Sequence, residues 1–182
     1  MANTSFDDLV RQEQQAAGTG KIDRAKERDA WLKRLDELFL QVDGYLDEYV
    51  RAGAVEISKG YVELDEEQIG SYQAPQMIVT IGRKAVRLEP VGTFIIGAKG
   101  RVDVLGPQGR SARLVLMDSE VKRVSDLIKV SVFTGPPPPP PPARDPSTVR
   151  WVWRIMKQAP QMEIIEIIKE TFLNLLAEIA NG

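Results

Sequence analysis

Apolar residues recur at steps of three and four along residues 22–52, and this spacing predicts one long amphipathic helix. Charged residues fill most of the remaining positions. Gly53 follows the last apolar residue, where a helix C-terminus favours glycine. The apolar positions are Trp31, Leu32, Leu35, Leu38, Phe39, Val42, Tyr45, Leu46 and Tyr49.

Two interpretations of this apolar face are open. It is wide enough to cover a sheet, but its heptad spacing also suits the seam of a coiled-coil homodimer. Aromatic residues at seam positions and the internal Gly44 argue against a regular coil. We therefore expect the face to pack on the chain's own core, and self-association through the helix is the alternative.

Short alternating segments separated by glycine and proline follow, and they predict a run of strands. Val86 and Leu88, for example, alternate with Arg87 and Glu89. Connections this short force antiparallel neighbours, so we expect a β-meander of about eight or nine strands. The predicted strands are Val55–Ser58, Tyr61–Leu64, Met77–Ile81, Ala85–Glu89, Thr93–Ile96, Arg101–Leu105, Arg110–Met117, Leu127–Phe133 and Val149–Ile155.

The other segments complete an α+β fold in which the antiparallel meander is flanked by an N-terminal and a C-terminal amphipathic helix. Asp118–Asp126 is a polar loop or single helical turn, and Pro160–Ala180 is the C-terminal helix. Residues 1–21 lack an apolar period and are predicted to be a disordered tail. Residues 22–182 then form one domain, with a polyproline loop at 136–142.

The 182 residues include no histidine and no cysteine, which removes imidazole bases, thiol nucleophiles and the usual zinc ligands. The Gly-rich segments 97–100 and 106–109 precede strand patterns rather than helices, so we predict hairpin turns and not phosphate loops. We expect no cofactor, and the case for an enzyme is weakened.

The N-terminal residues 1–8 show neither a basic segment nor an apolar segment of the kind that makes a signal peptide. No stretch approaches the length of a membrane span. A cytoplasmic location without membrane attachment is therefore the expectation.

A metal-dependent hydrolase or nuclease is one functional hypothesis. Glu120 and Lys122 form the E-x-K pattern of restriction-type nucleases, and Asp103 lies on the preceding strand. Asp103 and Glu120 would hold the metal ion while Lys122 orients the attacking water. A solvated turn is the favoured interpretation, because the pattern falls at a strand end and is short.

Charge is distributed unevenly along the chain. Residues 82–123 carry nine basic and four acidic residues, whereas residues 21–70 carry eight basic and thirteen acidic ones. Alternate turns of a meander share one end, so the turns near 60, 82–84, 98–100 and 118–126 predict a basic rim that could bind an anionic ligand or nucleic acid. Its residues are Arg83, Lys84, Lys99, Arg101, Lys122 and Arg123.

The polyproline run could bind an SH3-like or WW-like groove, although a rigid spacer is favoured. Trp151 and Trp153 share one strand face, where core packing is favoured over a ligand platform. The leading functional hypothesis is a non-catalytic interaction module, an accessory subunit with a protein partner in a bacterial-type cytosolic assembly. Anion or nucleic-acid binding is second, and the hydrolase is third.

Overall fold

A computed structural model describes residues 23–93, 98–127, 148–157 and 162–181. Two helices and seven strands lie in these ranges, with a short 3-10 turn at Val124–Leu127. The elements are α1 (Arg24–Arg51), β1 (Val55–Glu66), β2 (Gly70–Ile81), β3 (Lys84–Gly92), β4 (Arg101–Leu105), β5 (Ser111–Asp118), β6 (Trp151–Met156), β7 (Ile164–Glu166) and α2 (Lys169–Asn181).

The strands form one antiparallel sheet whose spatial order, β1 to β7, follows the chain. This confirms the α+β class and the meander, while the described residues contain seven strands rather than eight or nine. Inward-facing side chains of the central strands, such as Val86, Leu88 and Val104, are fully buried. Both helices contribute to the same hydrophobic core as these strands.

Helix α1 begins where its N-cap residue, Asp23, accepts a hydrogen bond from the Lys26 N–H at 3.2 Å. Its apolar face lies on the sheet, with residues such as Leu35 and Val42 fully buried. The prediction that the apolar face of α1 packs on the chain's own core is therefore confirmed. The alternative was that this face forms the seam of a coiled-coil dimer. The buried residues of the helix are Trp31, Leu35, Leu38, Phe39, Val42 and Leu46.

The C-terminal helix begins at Lys169, later than predicted. Ile164–Glu166, which the apolar pattern assigned to that helix, instead pair with Arg154–Met156 as β7. The Thr171 hydroxyl accepts from the Ile168 N–H at 3.0 Å, which is one half of a capping box and stabilises a helix start at Lys169. The broad apolar face thus combines a short strand that contains two β-branched isoleucines with a helix of thirteen residues.

The two strands predicted on either side of Gly60 are one strand of twelve residues, so the predicted turn there is wrong. Gly60 lies in mid-strand and pairs with Gln76. Strand β2 likewise begins at Gly70, seven residues before the predicted Met77. The real hairpin turn is at residues 67–69, between the ends of these two long strands.

The β1–β2 hairpin turns a different face to the core in each half. Val55 and Ile57 are partly covered at its base, whereas Val62 and Leu64 are the partly covered residues nearer the turn. The pairing with β2 continues unbroken from Val55–Ile81 to Glu66–Gly70, so no bulge causes the change. The strong twist of a two-stranded ribbon accounts for it, with a glycine at the change-over.

Two glycines permit close approach of helix and sheet. A Cβ atom at Gly100 would lie 2.1 Å from Cζ3 of Trp31 in α1, and one at Gly106 would lie 2.2 Å from the carbonyl oxygen of Ile179 in α2. A side chain at Gly106 would require movement of the α2 backbone, and one at Gly100 would require displacement of the Trp31 ring.

The remaining sequence predictions meet the structure in part. The polar segment after β5 contains the predicted single helical turn. Most of the predicted strands Thr93–Ile96 and Leu127–Phe133 lies outside the described residues, as do the predicted tail at 1–21 and the polyproline loop at 136–142.

Candidate functional site

The residues of the hypothetical nuclease site are not brought together. Asp103 pairs across the sheet with Arg113, and β5 continues five residues further to Asp118, about 17 Å at the usual rise of a strand. Glu120 follows in the turn beyond that end, so it lies at a distance from Asp103 that no single ion spans. Among the described residues, no group of three or more acidic side chains could hold a metal ion.

The six residues of the predicted basic rim lie at two ends of the sheet. Arg83 and Lys84 stand at the β2–β3 turn, whereas Lys99 lies before β4. The nine residues of β3 separate these places by about 30 Å. The prediction of one common rim fails because β3 pairs directly with β4. A single strand therefore separates the two turns, where the prediction had two, Ala85–Glu89 and Thr93–Ile96.

At the Lys99 end, two of the four predicted basic side chains have acidic partners. Lys99 lies 3.7 Å from Glu27, and the Arg101 guanidinium makes two 2.6 Å hydrogen bonds to Asp103. The Asp103 carboxylate holds the pKa of Arg101 above its usual value through these bonds. Anion binding at this end would have to compete with these contacts.

Lys122 and Arg123 belong to a capped turn. Their backbone N–H groups both donate to the Asp126 carboxylate, at 3.0 and 2.9 Å. These two hydrogen bonds lower the pKa of Asp126. The local sequence thus organises a stable acidic cap beside the two cations.

The two tryptophans of β6 have different surroundings. Trp153 packs on Trp31 with ring centroids 5.9 Å apart and donates from Nε1 to the Arg34 carbonyl at 3.3 Å. This confirms the predicted core packing for Trp153. Trp151 is half-buried beside Lys99, whose Nζ lies 6.0 Å from its ring centroid.

A cleft of about 570 Å³ lies where α1 passes the middle of the β1–β2 hairpin, and we call it the edge cleft. Gly60 and Pro75 form its hairpin side, at the point where the hairpin changes face. The absence of a side chain at Gly60 leaves this space open, since only Gln76 approaches the place where a Cβ would stand.

Leu40 of α1 and Tyr61 of β1 flank the edge cleft. Their exposed fractions are 72% and 71%, the highest among the large hydrophobic residues that the structure describes. Both are too exposed to contribute to the core, and they lie on one cleft rather than scattered over the surface. Convergent exposed apolar side chains of this kind mark interaction sites.

Acidic side chains line the edge cleft and the strand beside it. Asp36 and Asp43 of α1 line the cleft, while Glu56 and Glu63 are exposed elsewhere on β1. Lys59, the one basic residue of β1, donates to Asp43 at 2.5 Å. The charge around the edge cleft is therefore net negative.

Strand β1 is the first strand of the sheet, and the described residues place no strand on its outer side. The outer edge of this twelve-residue strand presents a row of backbone donors and acceptors that the sheet does not use. Its exposed charges, Glu56, Lys59, Glu63 and Asp65, discourage uncontrolled pairing and leave a selective edge.

A buried polar cluster holds the hairpin tip in place. The Glu66 carboxylate accepts from the Thr93 N–H and hydroxyl, both at 2.8 Å, and from the Tyr72 hydroxyl. Burial, together with the hydrogen bond to Glu66 and its negative charge, raises the pKa of Tyr72. The cluster links the end of β1 to the end of β3, and it fixes the path of the edge strand.

The sequence pattern did not point to the edge cleft or to the Glu66 cluster. Tyr61 was correctly placed on a strand, but its exposure depends on the change of face at Gly60. Leu40 is the residue from which the sequence could have predicted an exposed apolar site, because it lies outside the apolar face of the helix.

Comparison of the chain with models of protein families, with curated proteins and with solved structures finds no match. Within the described part of the chain, no helix has the length and apolar character required to cross a membrane.

Proposed function

We propose that this protein is a non-catalytic interaction module that holds an extended, basic segment of a partner protein along the outer edge of β1. The observation that carries the proposal is the convergence of Leu40 and Tyr61 on one cleft at the edge strand of the sheet. Addition of a strand to a sheet edge supplies backbone hydrogen bonds, and pockets beside the edge select side chains.

Charge and shape define the partner segment. The acidic residues around the edge cleft favour Lys or Arg at positions that face Asp36, Glu56 and Glu63. One apolar side chain of the segment would enter the cleft between Leu40 and Tyr61. Alternation of basic and apolar residues is the pattern that satisfies both requirements, because successive side chains of a strand point to opposite faces.

Other features support a non-catalytic role. The chain contains neither imidazole nor thiol, and Asp103 lies far from Glu120 along the sheet. We also propose that the protein is an accessory subunit of a cytosolic assembly. A strand edge that binds a segment of a partner protein would attach this protein to the complex that contains the partner.

The test is a titration of fluorescent peptides of about ten residues in which Lys alternates with Val or Leu. We expect micromolar dissociation constants that rise with salt, and at least a tenfold loss with Leu40→Ser or Tyr61→Ser. Ile168→Ser is the matched control, because Ile168 is 47% exposed and lies outside the cleft.

Two results would contradict the proposal. One is binding that is absent up to about 1 mM, or unchanged by both cleft variants. The other is a homodimer at micromolar concentration that Tyr61→Ser dissociates, because a second copy of the chain would then occupy the edge. An acidic peptide of the same pattern, and a basic one with a central proline, should both bind weakly.

A further inference from the structure

A second cleft, of about 440 Å³, lies between the C-terminal turns of α1 and the helix α2, and we call it the interhelix cleft. Leu46 and Tyr49 form its α1 wall, and Leu176 and Ala177 form its α2 wall. Eight of its ten lining residues are hydrophobic. Protein interiors are normally packed without such spaces, and ligand sites typically measure about 300–1,000 Å³.

Small side chains on α2 keep this cleft open. Ala177 and Ala180 line it with single methyl groups, while their neighbours Leu173 and Leu176 are large. The cleft is independent of the edge cleft, with which it shares no lining residue.

Its polar lining residues are Lys84 and Asn181, and the Lys84 ammonium donates to the Asn181 side-chain carbonyl at 2.5 Å. Four other described lysines have a carboxylate as partner: Lys59, Lys99, Lys157 and Lys169. Lys84 has a neutral amide instead, and no carboxylate of the described residues forms an ion pair with it.

The nearby carboxylates of α1 are already engaged. Asp47 pairs with Arg51 at 2.9 Å, and Glu48 pairs with Lys169 at 3.0 Å. Arg83, next to Lys84, is exposed in the β2–β3 turn and adds positive charge at the same place. The cleft therefore combines an apolar interior with a positive charge that no carboxylate of the described residues neutralises.

We propose that the interhelix cleft binds a single-chain amphiphile, an aliphatic chain with one anionic head group. The chain would lie between Leu46 and Leu176, and the carboxylate or phosphate would accept hydrogen bonds from Lys84 and the Asn181 amide. Carboxylate and phosphate head groups both offer Lys84 a negative charge and oxygen acceptors. The experiment must therefore distinguish between these two head groups.

The test is calorimetric titration of the full chain with sodium hexanoate, octanoate and decanoate, and with decyl phosphate, all below their micelle concentrations. We expect saturable binding of one equivalent that tightens about fourfold per added methylene until the cleft is filled. Decanol and decylamine should bind at least about tenfold more weakly than decanoate, because neither offers an anion to Lys84. The stronger of decanoate and decyl phosphate identifies the head group.

Two surface variants locate the site. Ala177→Leu fills the cleft from an exposed helix position, and Lys84→Met removes the charge but keeps an aliphatic chain. Each variant should raise the dissociation constant for decanoate by about tenfold or more. Ala25→Leu, at the exposed start of α1, and Lys99→Met, in the loop before β4, are the controls that should leave binding unchanged.

The proposal is overturned if none of the amphiphiles binds saturably up to about 1 mM. It is equally overturned if Ala177→Leu and Lys84→Met both bind decanoate as the unaltered chain does, since the amphiphile would then bind elsewhere. Amide chemical-shift changes confined to the α2 and β3 residues of the cleft would agree with the proposal. Neither outcome bears on the basic peptides, which use the other cleft.

Discussion

The centre of the sheet and the tip of the β1–β2 hairpin are held by different forces. In the centre, β3 to β5 pair on both sides and bury residues such as Leu88, Val102 and Leu114 completely beneath the helices. At the tip, β2 has left β3, since their pairing is confined to Met77–Ile81 and Lys84–Leu88. The tip is a two-stranded ribbon, which is marginal without added contacts.

The added contacts at the tip are few and largely polar. Tyr72 and Ala74 are buried there, but Leu64 and Val62 are only partly covered, and the Glu66 cluster makes the link to Thr93. The edge cleft lies on this hairpin, where we expect local opening to cost less free energy than in the centre. The proposed binding site then shares one element with a region of low local stability.

Paired truncations give the largest expected difference between the two regions. Leu88→Ala should lower the free energy of unfolding by about 2–5 kcal/mol, because it leaves a cavity in a region that cannot collapse. Leu64→Ala, at the half-covered tip, should cost less than about 2 kcal/mol. Urea denaturation measures both, and equal losses would refute the contrast.

Glycine substitutions test the close contacts of the centre. Gly106→Ala should cost about 1–3 kcal/mol, since its Cβ would meet the Ile179 backbone oxygen at 2.2 Å. Gly44→Ala in α1 is the control, because nothing lies within 4 Å and alanine should stabilise the helix by about 0.5–1 kcal/mol. Thermal unfolding of the two variants should therefore shift in opposite directions.

Removal of the Glu66 charge should loosen the tip alone. Glu66→Gln weakens bonds to Thr93 and Tyr72, for an expected loss of about 1–2 kcal/mol. Hydrogen exchange should accelerate at residues 62–74 while β4 and β5 keep their protection. Glu63→Gln, on the exposed side of the same strand, should leave the stability and the hydrogen exchange of the tip unchanged.

Alkaline titration should reveal the same cluster. The raised pKa of Tyr72 means that the folded state keeps its phenol protonated above the usual value of 10.0, whereas the unfolded chain releases the proton. The contribution of Tyr72 to stability is thus complete below about pH 10 and is lost as the pH rises further. Tyrosine absorbance should show a late-titrating phenol that Tyr72→Phe removes.

The smallest effect is expected from the ion pair beside the edge cleft. Lys59→Met breaks the contact with Asp43, but the pair is partly exposed, so the loss of stability should lie within about 0–1 kcal/mol. Binding of a basic peptide should tighten in this variant, because Asp43 becomes available to the peptide. Arg51→Met, which breaks an exposed pair with Asp47, is the control for stability and should not change peptide binding.

Much of the fold followed from local pattern. The period of the apolar residues predicted α1 and its buried face, and alternation with short turns predicted an antiparallel meander. These properties depend on neighbours within a few positions, so they are visible in the chain itself. The pattern failed where an apolar run suited both the helical and the strand period, as at Ile164–Glu166. This segment joined the sheet because β6 offered an unpaired edge.

The placement of functional groups depended on contacts between distant segments. Whether one strand or two lies between the turn at 82–83 and β4 cannot be decided from local pattern, yet it determines which turns share an end of the sheet. The direct pairing of β3 with β4 separated Lys84 from Lys99. The packing of the whole chain then set Lys84 at an apolar cleft and Tyr61 beside Leu40. Local periodicity therefore decided the elements, while long-range pairing and the twist of one hairpin decided which side chains meet.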